Sequence, residues 1–318
     1  LCVCAGSVNV SFQDTFSAIG NLFSGIPSAG SSESIIRSVR IPRVLCVALT
    51  GASLSLCGAA MQGLLKNPLA DGSTLGVSSG ASLGAVIAIA FGITIPGIPF
   101  AGTMGFAIAF AFISLILIMG LAYKFDNALS TNTIILIGII FSMFANCVIS
   151  LVVTFASDRV RNITFWTMGS LSGSSYLNAA VLGCVLLFGS VIIITKADEL
   201  NAFAIGENNA RSIGVDVKKV RITVLITVSV TIGVCVSIGG SIAFVGLVTP
   251  HIVRMITGPN HRKLLPSVLF GGAVFLMLAD LCARALLSPL ELPIGVVTSF
   301  IGAIIFVVIF YRSKVRGR

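Results

Sequence analysis

Charge is what this sequence has least of. Only 10% of its 318 residues are Asp, Glu, Lys or Arg, against about 25% in a soluble domain. Such a chain has too little polar surface to coat a water-soluble enzyme, a nucleic-acid binder or a secreted disulfide scaffold. Chemistry-bearing signatures are missing as well. No G-x-x-x-x-G-K-[ST] occurs, nor any Gly-Lys dipeptide, so nucleotide phosphates are not cradled by that route and any ATP must sit on a partner. The two histidines, His251 and His261, stand ten residues apart without a metal-ligand spacing. The eight cysteines (2, 4, 46, 57, 147, 184, 235 and 282) form no CxxC pair and read as small apolar packing residues.

What is present is hydrocarbon. Apolar residues make up 56% of the chain, 33 glycines come on top, and the mean hydropathy is +1.07. At about 20 residues per span this material supplies roughly ten membrane helices. Charge-free runs locate them, because a charge in hydrocarbon costs several kcal/mol. Between Asp71 and Lys124 lie 52 uncharged residues, about 78 Å as one helix against a core of about 30 Å. That run must fold back, and Ile95-Pro96-Gly97-Ile98-Pro99 supplies the break. The spans fall near 43–65, 77–94, 101–123, 132–156, 177–195, 220–238, 242–257, 264–287 and 294–311. Leu1–Gly6 reads as the outer end of a further helix, truncated here, which brings the expected count to ten. The chain is an all-α, polytopic membrane protein with one transmembrane domain over 1–318.

With the C-terminus in the cytoplasm, fourteen of the 20 basic residues lie inside and six outside, which is the positive-inside bias. The six outer ones include Arg37, Arg40 and Arg43, three apart and so near one helix face, and Arg284. They either snorkel to lipid phosphate or receive an acidic partner. Asp280 and Arg284, four apart, can neutralise each other on one helix. Gly76, Gly80 and Gly84 form a flat helix face, for close packing or for sliding. Inside, Gly206-Glu-Asn-Asn-Ala-Arg-Ser-Ile-Gly214 has an acid at its start and glycine at its end, so it reads as a short surface helix, generic or partner-docking.

These residues resemble the FecCD family, the permeases of ABC importers for ferric siderophores, haem and vitamin B12. The matching blocks are Arg40-Ile-Pro-Arg43, Gly58-Ala-Ala-Met-Gln62, Asn67-Pro-Leu-Ala-Asp71 with Leu75-Gly-Val-Ser-Ser-Gly80, Ala210-Arg-Ser-Ile-Gly214, Phe244-Val-Gly-Leu-Val-Thr-Pro-His-Ile-Val-Arg254 and Glu291-Leu-Pro-Ile-Gly295. The resemblance, from about residue 35 to 311, implies the type II ABC importer permease fold. It also implies a dimer of permeases, equal or related, working with two cytoplasmic ATPase subunits that carry ATP and Mg.

Residue by residue, the resemblance gives Arg40, Arg43 and Arg284 the docking of glutamates on an extracytoplasmic substrate-binding protein. Gly206, Glu207, Ala210, Arg211 and Gly214 would form the coupling helix in the ATPase groove, and Asn67, Leu69, Thr131 and Asn132 would lie near a cytoplasmic gate. Pro250 and His251 belong to the pattern with a structural part only. The expected activity is inward translocation of an iron-siderophore chelate, with haem or vitamin B12 as alternatives. No cofactor is expected on this chain, and its surroundings are lipid rather than nucleic acid. An ion-coupled secondary transporter is the competing class; it would place ionisable groups at mid-membrane, where spans 43–65, 77–94 and 294–311 have none.

Overall fold

The computed structural model describes residues 2–4, 15, 17, 18, 20, 21, 30–72, 75–95, 101–127, 129–288 and 290–316. Every regular element among them is a helix. The long ones are α1 (Ile41–Leu65), α2 (Val77–Phe91), α3 (Ala101–Phe125), α4 (Thr131–Phe155), α6 (Tyr176–Ile194), α9 (Val217–Gly239), α10 (Val245–Thr257), α11 (His261–Ala285) and α12 (Ile294–Arg316). Short helices α5 (Val160–Thr167), α7 (Ala197–Ile205) and α8 (Glu207–Ser212) join them. Ahead of α1, Ser31–Ile35 and a π-helical turn, Ile36–Arg40, continue the same rod.

The nine expected spans correspond to the nine long helices. Six of these are long and apolar enough to cross a membrane, while α2, α10 and the apolar part of α12 are shorter. Two expected boundaries shift for backbone reasons. The span near 77–94 stops at Phe91, because Gly92 at φ +65° turns the chain and its N–H caps the Ile89 carbonyl at 3.1 Å. The span near 242–257 begins at Val245, since Gly240 and Phe244 both lie at positive φ and leave the connection between α9 and α10 unwound. Of the expected break at residues 95–99, all but Ile95 lie outside the described residues. Of the segment Leu1–Gly6, only residues 2–4 are described, and they form a turn.

Burial divides the helices into centre and rim. In their most apolar stretches the rod ending in α1 is 72% buried and α9 67%, whereas α3, α4 and α6 are 28%, 22% and 17% buried. The rim helices are apolar on their exposed sides too, with Leu136, Ile140, Met143, Phe144, Leu187 and Phe188 open. Faces of that kind belong in lipid or against another membrane subunit.

The centre is held by backbone-close crossings. A Cβ on Gly51 would sit 2.3 Å from the Gly272 carbonyl of α11, and one on Gly58 would sit 1.8 Å from the Gly246 carbonyl of α10. Gln62 reinforces the second crossing, donating to the Gly246 and Leu247 carbonyls and accepting from Arg254 at 3.0 Å. The flat face of α2 is a packing face: Gly80 lies against Ser114 and Gly84 against the Phe106 carbonyl of α3. Gly76 precedes the helix as its N-cap and meets α4 at Gly138.

Candidate functional site

α1 and α11 run antiparallel, so the start of one lies beside the end of the other. At about 1.5 Å per residue their 25-residue lengths separate two polar ends by about 37 Å.

At one end, Arg43 in the first turn of α1 donates from Nε and Nη2 to Asp280 Oδ1 at 3.0 and 2.9 Å, and from Nη1 to Glu291 Oε2 at 2.7 Å. Arg284 donates from Nε to the other oxygen of Asp280 at 2.9 Å, confirming the expected i,i+4 pair. One buried carboxylate thus serves two arginines. Arg40 donates to the Val3 and Cys4 carbonyls at 2.9 and 2.7 Å, and Arg284 also reaches the Cys2 carbonyl at 3.0 Å. Arg37 pairs with Glu33 at 2.7 Å. None of the arginines expected to dock a partner is free at the surface: Arg40, Arg43 and Arg284 are 5%, 6% and 2% exposed. The accessible member of the cluster is Glu291, whose side chain is 30% exposed.

At the other end stands α8. Its C-terminus closes as expected, with Gly214 at φ +88°, the Gly214 N–H on the Arg211 carbonyl and the Val215 N–H on the Ala210 carbonyl, both at 3.0 Å. This is a Schellman closure, and only glycine adopts its left-handed residue without strain. Ala210 is buried and anchors the helix, while Arg211 and Ser212 face out. Ile205 and Ile213, one on each side of α8, are 74% and 71% exposed. Both leave apolar side chains open beside a polar end. Gly206, at φ +145°, links α7 to α8 and accepts from the Ala210 N–H at 2.9 Å.

Glu207, the first residue of α8, faces inward to the fully buried Arg221 of α9, which also donates to the Leu129 carbonyl in the α3–α4 connection. Of the residues expected near a gate, Asn67 accepts the Leu69 N–H on its side-chain oxygen at 2.9 Å, and Leu69 is 48% exposed. Thr131 and Asn132 open α4, and they stand on a separate connection from Asn67 and Leu69. Beside them α7 is tied to α11: the Asn201 carboxamide oxygen accepts from the His261 N–H at 2.9 Å, and Arg262 makes a two-bond pair with Asp198 at 2.6 Å. Arg262 holds the Asp198 carboxyl below the usual carboxylate range.

Among the described residues no group of three or more His, Cys, Asp or Glu could hold a metal, and the cysteines are unpaired thiols. Arg221 and Glu291 were not legible as site residues. Arg221 counts in the sequence as one more inside charge, yet it sits between Val220 and Ile222, inside the apolar run rather than in the loop. That placement was the available signal.

A bundle of apolar helices with ion pairs at its polar ends is the architecture of a multi-pass membrane protein. The comparisons agree. The profile of the FecCD transport family matches residues 1–312. The uncharacterised ABC transporter permease protein YvrB of Bacillus subtilis is 40% identical, covering 90% of this chain and 81% of that one. The cobalamin import permease BtuC of Halobacterium salinarum is 37% identical over 92% of this chain and 77% of its own. The molybdate import permease MolB of Haemophilus influenzae is 35% identical over 90% and 83%. An inward-facing structure described as of a metal-chelate type ABC transporter superposes with a TM-score of 0.83 at 31% identity, covering 94% of this chain and 99% of that one. The chain belongs to the FecCD transport family and is an ABC importer permease.

Proposed function

We propose that this permease carries a metal chelate of the ferric-siderophore kind inward, driven by ATP hydrolysed on cytoplasmic partner subunits. The observation that supports it most is α8, a capped helix with two exposed isoleucines beside it and its acid turned into the bundle. A partner seated on Ile205, Arg211 and Ile213 would move α8 as a rigid piece, so access alternates between the two faces as the spans tilt. A second permease, identical or related, would cover the apolar rim faces. The substrate-binding protein would dock at the Arg40, Arg43 and Arg284 end. Its carboxylate reaches Arg43 by displacing Glu291, the exposed member of that cluster. Asn67, Leu69, Thr131 and Asn132 would form the gate at the α8 end.

A second cargo, a corrinoid, is favoured by the identity to cobalamin permeases. The deciding measurement is ATP hydrolysis by the permease reconstituted with its ATPase and binding protein, across ferric siderophores, haem, cobalamin and molybdate. Selective stimulation by a ferric siderophore is the expected outcome; selective stimulation by cobalamin or molybdate replaces the cargo and keeps the mechanism. Glu207→Arg should abolish stimulated hydrolysis with membrane insertion intact, because it sets two cations against each other at the root of α8. Normal coupling in that variant would remove α8 from the mechanism.

A further inference from the structure

Arg221 is a fully buried cation at the meeting point of three elements. It belongs to the first turns of α9, its Nη2 donates to Glu207 at the start of α8, and its Nη1 donates to the carbonyl of Leu129. Leu129 is itself fixed. It is 2% exposed, adopts φ +52°, and donates its N–H to the Asp126 carbonyl at 2.9 Å. The Asp126 carboxylate in turn accepts from the Ser130 N–H at 2.9 Å and the Thr133 hydroxyl at 3.4 Å. Asp126, Leu129 and Ser130 are therefore tied to the first turn of α4, which carries Thr131 and Asn132.

We infer that Arg221 is the positioning residue that couples α8 to the start of α4, so that displacement of the coupling helix pulls the gate end of α4 through one guanidinium. The inference rests on the reading of α8 as the helix that meets the ATPase. Its physical basis is directional. A guanidinium is planar, with donors in a fixed fork, so it holds two acceptors at a set angle and cannot follow one without reorienting toward the other. Burial sharpens this. Arg221 is fully buried and Glu207 partly exposed, so separating them strips a buried guanidinium of a counter-charge, a cost that favours α8, α9 and the α3–α4 connection moving together. The route does not run through α1 and α11, whose glycine crossing leaves no room for relative sliding.

The test is a graded series in the reconstituted complex of permease, ATPase and binding protein: Glu207→Gln, Arg221→Lys and Arg221→Met. The readouts are cargo transported per ATP hydrolysed, and recovery of the intact complex by co-purification. Glu207→Gln keeps a hydrogen-bond acceptor, and Arg221→Lys keeps the charge but loses the fork; both should retain assembly and reduce transport per ATP. Arg221→Met should retain hydrolysis and lower transport per ATP by about 10-fold or more, within the range of ordinary coupling energies. Full transport per ATP in an assembled Arg221→Met complex overturns the inference. So does failure of Arg221→Met to assemble when Glu207→Gln and Arg221→Lys transport normally, since that pattern describes a brace for folding and nothing else. A wild-type chain that assembles with no ATPase overturns the permease reading and this inference together.

Discussion

Buried arginines close both ends of the bundle, but they join different kinds of neighbours. Arg43 and Arg284 share Asp280 across α1 and α11, two helices already locked backbone to backbone at Gly51 and Gly272. The ion cluster there reinforces a contact that packing has made. Arg221 joins α8 to the α3–α4 connection, two segments far apart in the chain that meet at its guanidinium. A cluster laid over a backbone crossing serves as an anchor; a guanidinium bridging a short helix and a connection serves as a link. The two ends should therefore separate stability from coupling.

The largest expected effect is at the anchor. Asp280→Ala removes the carboxylate that two buried guanidinium groups share, leaving Arg43 to Glu291 and Arg284 to the Cys2 carbonyl, and breaking a buried pair costs about 3–5 kcal/mol. Detergent-solubilised protein should lose thermal stability accordingly, read from the apparent Tm. Arg221→Met should lose less, because the Glu207 side chain left behind is 29% exposed and can hydrate. The same variant should nevertheless lose more transport per ATP than any variant at the anchor that still folds. A reversed order, with Arg221→Met the less stable and the better coupled, would break the comparison.

A smaller effect tests whether the centre really is rigid. Gly272→Ala places a Cβ 2.3 Å from the Gly51 carbonyl and 2.2 Å from Ser55 Oγ, and backbone cannot yield as a side-chain tip can. Overpacking of this sort costs about 1–3 kcal/mol. The variant should be less stable yet keep its transport per ATP once folded, since the crossing lies off the coupling route. Lost coupling in a stable Gly272→Ala protein would place α1 and α11 on that route after all.

Much of this architecture was readable in advance, and the parts that were not share a cause. Charge-free runs report one segment at a time, so they located the apolar helices. The i,i+4 spacing of Asp280 and Arg284, and the glycine closing α8, are local as well. Arg43 meets Asp280 across 237 residues, and Arg221 meets Leu129 across 92. Periodicity carries no information about such pairs. A buried arginine near a helix end also has the same sequence appearance as one that snorkels, which is why Arg221 passed for a topology signal and Arg40 and Arg43 for exposed groups. The start of α10 lies three residues later than expected because Phe244 takes a left-handed conformation that its residue type disfavours.

The smallest effect belongs to a pair at the α8 end that resembles the buried links in chemistry but not in setting. Arg262 donates two hydrogen bonds to Asp198, yet their side chains are 69% and 60% exposed. Arg262 lowers the Asp198 pKa in the folded state. The sign follows directly: the pair adds stability above the ordinary carboxylate pKa and loses it as pH falls through the lowered, folded value. Water screens the attraction throughout, so exposed pairs of this kind contribute little. Asp198→Asn should leave transport per ATP unchanged at neutral pH and only flatten the acid limb of the apparent Tm against pH. A loss of coupling as large as that in Arg221→Met would mean that α7, too, carries motion from α8, and that burial is not what distinguishes a link from an ornament on the surface.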